Sequence, residues 1–197
     1  MSQQCDACQR EMPSHEEGVH LGAQVEQTLY WCIPCFNQEV AEGAGIDFQT
    51  PTFKPVTLKD VQGQSHVFHF LTRLCPNGVI IEAYEVIDDQ RQGYEFFYLC
   101  ENPMVESLPL LQTVLARANR MLAKQHIESS RWGYRLTPDK VVRGRIVSQP
   151  LDSPCGGLPS VIIDGQELTW NDVGQLLAAE GGHQLKLEIK DPVDDND

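Results

Sequence analysis

The sequence predicts an α+β protein, on three observations. Two Cys-x2-Cys pairs, Cys5/Cys8 and Cys32/Cys35, stand near the amino terminus with 23 residues between them. Residues 54–100 break into short apolar-rich runs separated by turn signals at Asp60–Gly63, Pro76–Gly78 and Asp88–Gly93. A single long stripe of aliphatic residues at three- and four-residue steps follows, from Leu108 to Ile127. The predicted architecture is a treble-clef-like or ribbon-like zinc module over 1–48, an antiparallel four-strand meander packed by one long helix over 54–128, a C-terminal β-β-α-β segment over 140–191, and an acidic tail over 192–197.

The first element rests on metal chemistry. A Cys-x2-Cys pair sets both sulfurs on the outside of one tight turn, and two such pairs give the S4 donor set of a closed structural site with no open position for water. Cys5, Cys8, Cys32 and Cys35 are therefore the candidate metal ligands, with Zn2+ as the expected ion and iron, on the same four thiolates, as the alternative metal. A mixed site in which His15 or His20 replaces one sulfur stays open at this point. The apolar residues available to the module are few: Val19, Leu21, Val25, Leu29, Trp31, Phe36 and Val40. The metal would then supply most of the folding free energy, roughly 10–16 kcal/mol in apparent terms at neutral pH. The expected layout is a knuckle at Cys5–Cys8, a hairpin through Val25–Trp31 and a helix over Pro34–Glu42, with Pro34 in the first turn where a missing N–H is tolerated. Redox pairs of this spacing usually stand singly before a long helix. Disulfides need an oxidising compartment and a secretory signal, and residues 1–20 contain no apolar run.

Composition narrows the rest. A chain of 197 residues with 41% apolar content can bury a substantial core, and the cysteine module is expected as an appendage to it. No apolar segment is long enough for a membrane-spanning helix, and seven cysteines, four of them in a metal pattern, suit a reducing cytoplasm. The net charge of −13 opposes attraction to a phosphate backbone. Within residues 1–48 Arg10 is the only basic side chain against eight acidic ones, so the cysteine module is a poor nucleic-acid reader.

In the meander, strands are expected over Pro55–Leu58, Ser65–Leu74, Val79–Val86 and Tyr94–Cys100, with Asn77-Gly78 as the strongest hairpin signal. Connections this short favour antiparallel neighbours. Leu108, Leu111, Val114, Leu115, Ala118, Met121 and Leu122 form the stripe by which the helix would dock. Residues 129–138 read as a connector carrying Trp132 and Tyr134, 141–147 as a strand, and 148–159 as a loop carrying Cys155. Asp164-Gly165 is a tight-turn pair, and Thr169–Asp172 is a short-acid variant of the capping box. Val173, Leu176, Leu177 and Trp170 mark a helix that Gly181-Gly182 stops. Leu185, Leu187 and Ile189 alternate with Lys186, Glu188 and Lys190 as a half-buried strand would.

The combination of Cys5-Asp-Ala-Cys8 and Trp31-Cys-Ile-Pro-Cys-Phe36 with His66-Val-Phe-His-Phe70, Pro76-Asn-Gly-Val79, Glu82-Ala-Tyr-Glu85 and Gly93-Tyr-Glu-Phe96 resembles a bacterial family of uncharacterised proteins. The closing pattern, Val161-Ile-Ile-Asp-Gly165, Thr169-Trp170 and 180–191, is similar to the end segment of that family. The resemblance brings no assigned reaction, substrate or partner with it.

Outside the cysteines, His66, His69 and Glu82 on the meander are the candidates for chemistry, with Glu82 beside one of the histidines as an acid–base pair. His66 and His69, three apart on a strand, face opposite ways, as do Glu82 and Glu85. Motifs for nucleophilic catalysis, phosphate cradling and dinucleotide binding are missing. The expected function is thus a zinc-binding interaction or scaffolding protein, the alternative an enzyme with a pocket around His66, His69 and Glu82. Residues 117–145 carry eight basic side chains and two acidic ones, a stretch suited to an acidic protein or peptide partner.

Overall fold

A computed structural model describes residues 3–22, 28–131, 133–149 and 157–191. The chain divides into two compact units, one of residues 1–58 and 65–119, the other of residues 59–64 and 120–197. The cysteine segment and the meander thus belong to one unit, and the expected appendage is instead built into the body that carries the sheet.

The first unit opens with two short antiparallel pairs, β1 (Gln3–Gln4) with β2 (Glu11–Met12) and β3 (Gly18–Leu21) with β4 (Leu29–Cys32), followed by α1 (Ile33–Ala44). Cys32 is the N-cap of α1 and Pro34 lies in its first turn, as the sequence predicts. Gly45 closes the helix in the left-handed conformation (φ 66°), and the amides of Gly45 and Ile46 bond the carbonyls of Glu42 and Ala41. Val25 and the rest of 23–27 lie outside the described residues.

The meander follows as β5 (Val56–Lys59), β6 (Ser65–Cys75), β7 (Gly78–Ile87) and β8 (Gln90–Cys100), in the order β5-β6-β7-β8, with β6, β7 and β8 antiparallel neighbours. The β6–β7 turn is Pro76-Asn77, with Cys75 opposite Gly78, one residue earlier than the Asn-Gly signal suggests. Gly78 serves close approach: a Cβ there would lie 2.0 Å from the Cys100 carbonyl oxygen. Asp88-Asp89, both at positive φ, make a two-residue turn where the sequence reads as a longer loop, and β8 begins at Gln90. Between the pairs Tyr84/Glu95 and Val86/Arg91 the register breaks, so that three residues of β8 oppose Glu85 alone. Phe68, Thr72 and Leu74 of β6 lie opposite Glu85, Ile81 and Val79 of β7 on one sheet face, and all six are buried.

The long helix, α2, runs over Ser107–Leu122 and not on to Ile127. The backbone amides of His126 and Ile127, which a longer helix would use internally, donate to the Asp164 carboxylate at 2.6 and 2.8 Å. The buried positions are Leu110, Val114, Ala118 and Leu122, so the inward stripe is phased on Leu110, whereas Leu108 is exposed. Arg117 donates to the Phe97 carbonyl at 2.6 Å.

The second unit holds a hairpin of β9 (Ile127–Ser130) and β10 (Gly133–Leu136) in place of the expected connector. A three-strand sheet in the order β11-β12-β13 follows, with β11 at Arg145–Val147, β12 at Ser160–Ile163 and β13 at Gln166–Leu168, and then α3 (Trp170–Ala178). Asp164-Gly165 forms the β12–β13 turn as expected. The capping box at α3 is complete: the Thr169 hydroxyl accepts from the Asp172 amide, and the Asp172 carboxylate accepts from the Thr169 amide. Ile127, Ile163, Leu168 and Leu176 form the core of this unit, with Trp170 exposed outside it. The expected final strand does not form: 183–191 belongs to no helix or strand, and the segment reads β-β-α without its closing β after the β9–β10 hairpin. Trp132, Cys155 and the acidic tail 192–197 lie outside the described residues.

Candidate metal centre

The four cysteine sulfurs converge because three local structures bring them together. Cys5 ends β1 and opens a tight turn, in which its amide bonds the Arg10 carbonyl and its own carbonyl accepts from the Gln9 amide. That turn is tied to β4 twice, by the Asp6 amide donating to the Tyr30 carbonyl and the Tyr30 amide donating to the Asp6 carboxylate. β4 delivers Cys32 to the first residue before α1, and the first turn of α1 brings Cys35 back beside it.

The ligand atoms of Cys5, Cys8, Cys32 and Cys35 all lie within 4.8 Å of one another. A tetrahedral ion with metal–sulfur bonds near 2.3 Å needs sulfur–sulfur edges of about 3.8 Å. The Cys8 and Cys32 sulfurs are 3.7 Å apart. Cys5 and Cys32 are buried, Cys35 is half-buried and Cys8 is exposed. Four close thiols in this arrangement could hold a metal ion, and no histidine joins the cluster among the described residues.

Electrostatics point the same way. Burial alone would push the Cys5 thiol up, but the amides of Cys32, Cys8 and Ala7 outweigh it and lower it to about 6. The Cys32 amide reaches the Cys5 sulfur at 3.2 Å. Burial raises the Cys32 and Cys35 thiols, and at Cys35 the neighbouring sulfurs raise it further. One thiolate is prepared by backbone donors and the others resist ionisation beside it, a conflict that a central dication removes.

The two histidines proposed as alternative ligands have other places. His15 Nδ1 lies 3.2 Å from the Asp89 carboxylate, and its ring meets His69 edge-on at a centroid distance of 5.0 Å. His20 packs on Tyr30 at 4.8 Å.

The candidates on the meander separate into two groups. His66 Nδ1 lies 2.7 Å from Glu85 Oε1, while Glu85 Oε2 accepts from the Tyr94 amide at 3.0 Å. The Glu85 carboxylate thus fills the bulge in β8. Gly93 (φ 75°) permits this, since a Cβ there would come within 2.3 Å of Glu85 Oε2. On the opposite side of the sheet, Glu82 is directly across from Leu71 and bonds Arg91 at 2.7 Å. Arg91 also pairs with Glu95 and Glu17, and its guanidinium lies 4.3 Å from the Tyr84 ring centre. Burial lifts the Tyr84 phenol to about 12, and burial, with the charge of His15 behind it, lowers His69. The expected grouping of His66, His69 and Glu82 is therefore not made: Glu85 is the partner of His66, and Glu82 serves an arginine. A recess of about 370 Å³ in this unit takes its walls from Glu16, Glu17, His20 and Tyr30, not from those three residues.

Sequence reasoning missed Asn37. It is fully buried on α1, where its side-chain amide donates to the Thr72 carbonyl at 2.7 Å and its oxygen accepts from the Leu74 amide at 2.8 Å. Its carboxamide pairs with β6 as a neighbouring strand would, beyond the reach of the four-residue β5. Nothing in the local sequence announces this, because an asparagine two residues after a cysteine ligand is also an ordinary helix-surface residue.

No helix among the described residues is long and apolar enough to cross a membrane. No curated protein and no solved structure matches the chain. Three family models do, each described as a domain of unknown function: DUF7685 over residues 4–47, DUF7686 over 49–123 and DUF7713 over 126–194. The chain is accordingly covered by three domains of uncharacterised families, the first of which carries all four clustered cysteines.

Proposed function

We propose that Cys5, Cys8, Cys32 and Cys35 bind one zinc ion in a closed structural site of treble-clef type, and that the protein acts in the cytoplasm as an interaction or scaffolding module. The observation that carries the reading is the convergence of four sulfurs within 4.8 Å, with an edge of 3.7 Å that suits a tetrahedral ion. The sequence of elements, a tight cysteine turn, a hairpin and a helix opened by the second pair, supports the treble-clef assignment. Bound zinc neutralises crowded thiolates and fixes β1, β4 and the start of α1 to each other. The protein's own residues extend that order: Asn37 carries it to β6, and His15 and Glu17 carry it to His69, Tyr84 and Arg91.

The partner we propose is a protein or peptide of acidic character that meets the basic stretch 117–145. Part of that charge is already engaged within the chain, Arg135 with Glu128 and Lys140 with Glu180, which leaves recognition to the remaining basic residues and to the aromatic Tyr134.

Native mass spectrometry of the protein taken directly from cells tests the site. One zinc per chain is expected, and the cobalt-substituted protein should show the charge-transfer bands of four thiolates. Less than one equivalent of tightly held metal, or a water or carboxylate oxygen bound to cobalt, would sink the proposal.

A further inference from the structure

Residues 183–191 leave α3 as a strand without a sheet. Leu185, Leu187 and Ile189 are 74%, 73% and 74% exposed. Lys186 and Glu188, two apart, are ion-paired at 3.1 Å, which puts them on one side of an extended chain, alternating in sequence with the three aliphatic residues. The same unit offers an open edge. β11 bonds β12 on one side and is the first strand of its sheet, and Ile146 in it, with Val141 and Val142 just before it, is exposed. A row of unpaired backbone groups flanked by exposed aliphatic side chains is a template for another strand.

Charge and direction select the occupant. Beyond Ile189 the sequence is acidic, with Asp191, Asp194, Asp195 and Asp197, whereas the approach to β11 carries Lys140, Arg143 and Arg145. An antiparallel strand laid on β11 brings its acidic end past this basic approach. Within one chain that direction is disfavoured, because the Lys140–Glu180 ion pair at 2.6 Å roots the segment beside the entry to β11 and so aims it parallel. A second copy is under no such restraint. We propose that the 185–189 segment of one copy adds antiparallel to the β11 edge of a second copy, and reciprocally, so that the chain forms a symmetric dimer by exchange of strands. Each copy gives one strand and receives one, the isologous arrangement that closes on itself.

Sedimentation of the full, metal-loaded chain tests this. The unmodified protein should be a dimer that dissociates on dilution. Leu187→Asp, which removes the donor, and Ile146→Asp, which spoils the acceptor, should each be monomeric with unchanged far-ultraviolet circular dichroism. An equimolar mixture of the two should recover a weaker dimer, since one intact donor and one intact acceptor remain in it. A chain that stays monomeric at every concentration overturns the proposal. So does a dimer indifferent to Leu187→Asp, or a monomer whose 185–189 amides are protected from exchange.

Discussion

The cysteine segment and the second unit are of similar length and reach order by different means. Residues 3–44 bury Cys5, Met12, Cys32, Ile33 and Ala41, with Tyr30 and Trp31 only half-covered, and Leu29, a hoped-for core residue, is 49% exposed. The second unit packs Ile127, Ile163, Leu168 and Leu176 against Val161, Val173, Tyr134 and Leu136. One region is held at four sulfurs, the other by spread apolar contact. A segment held at one point is expected to fail all at once when that point is lost, while a segment held by a packed cluster loses stability in proportion to what is removed.

The sharpest way to break the comparison is to take the metal away. Chelation, or Cys32→Ser, removes a contribution of roughly 10–16 kcal/mol at neutral pH. The hairpin and α1 should lose protection from hydrogen exchange, while Val173, Leu176 and Leu177 in α3 keep theirs. Leu74 is the informative residue in the meander. Its amide bonds Asn37 Oδ1, so its protection should fall with that of α1 even though it sits in a strand paired with β7. Persistent protection at Leu74 in the metal-free protein would mean that α1 stays docked without the site.

The converse experiment is Leu176→Ala. Leu176 is 3% exposed in the core of the second unit, and truncating a buried leucine costs about 2–5 kcal/mol. The loss should appear in denaturant unfolding of that unit, with zinc content unchanged at one per chain.

How far the sequence spoke for itself differs in the same way between the regions. The four cysteines were legible because a tetrahedral ion imposes a spacing on the chain that no other role imitates. Asp164-Gly165 and the Thr169/Asp172 box were legible because a turn or a cap is decided by its own few residues. Asn37 and Glu85 were not, since each acts on backbone far away in sequence: Asn37 completes an edge of β6, and Glu85 fills a bulge in β8 that exists only because Gly93 leaves it room. The phase of α2 escaped for a related reason. Leu108 and Leu111 fit the three-and-four pattern as well as Leu110 does, and only the packing of the folded chain chooses between them. Leu185, Leu187 and Ile189 are the opposite case, a strand pattern plain in sequence that finds no partner strand among the described residues of its own chain.

A smaller effect tests how tightly the two regions of the first unit are joined. Asn37→Ala leaves the cysteines untouched but strands the Thr72 carbonyl and the Leu74 amide in a buried setting, at a cost of about 1–3 kcal/mol. Zinc should still bind at one per chain, and exchange at Leu74 should quicken while exchange at the hairpin does not. Zinc loss in this variant would show that the helix needs the sheet to hold the site, reversing the direction of support.

The smallest expected effect lies in the second unit, at the start of α3. Thr169→Ala removes the N-cap and should cost about 0.5–2 kcal/mol. The partner in the box has a pH signature. Hydrogen bonds from the Thr169 hydroxyl and amide hold the Asp172 carboxyl below the usual carboxylate range. Since the folded value is depressed, the contribution is fully present above the unfolded value of about 3.9 and is lost as pH falls through the folded one. Asp172→Ala should therefore loosen α3 at neutral pH, with the gap to the unmodified chain closing below about pH 4. Amide exchange at Val173, Leu176 and Leu177, normalised to the unstructured rate at each pH, reads this locally. A gap that stayed constant down to acid pH would show that the Asp172 side chain supports the helix by packing, without its charge.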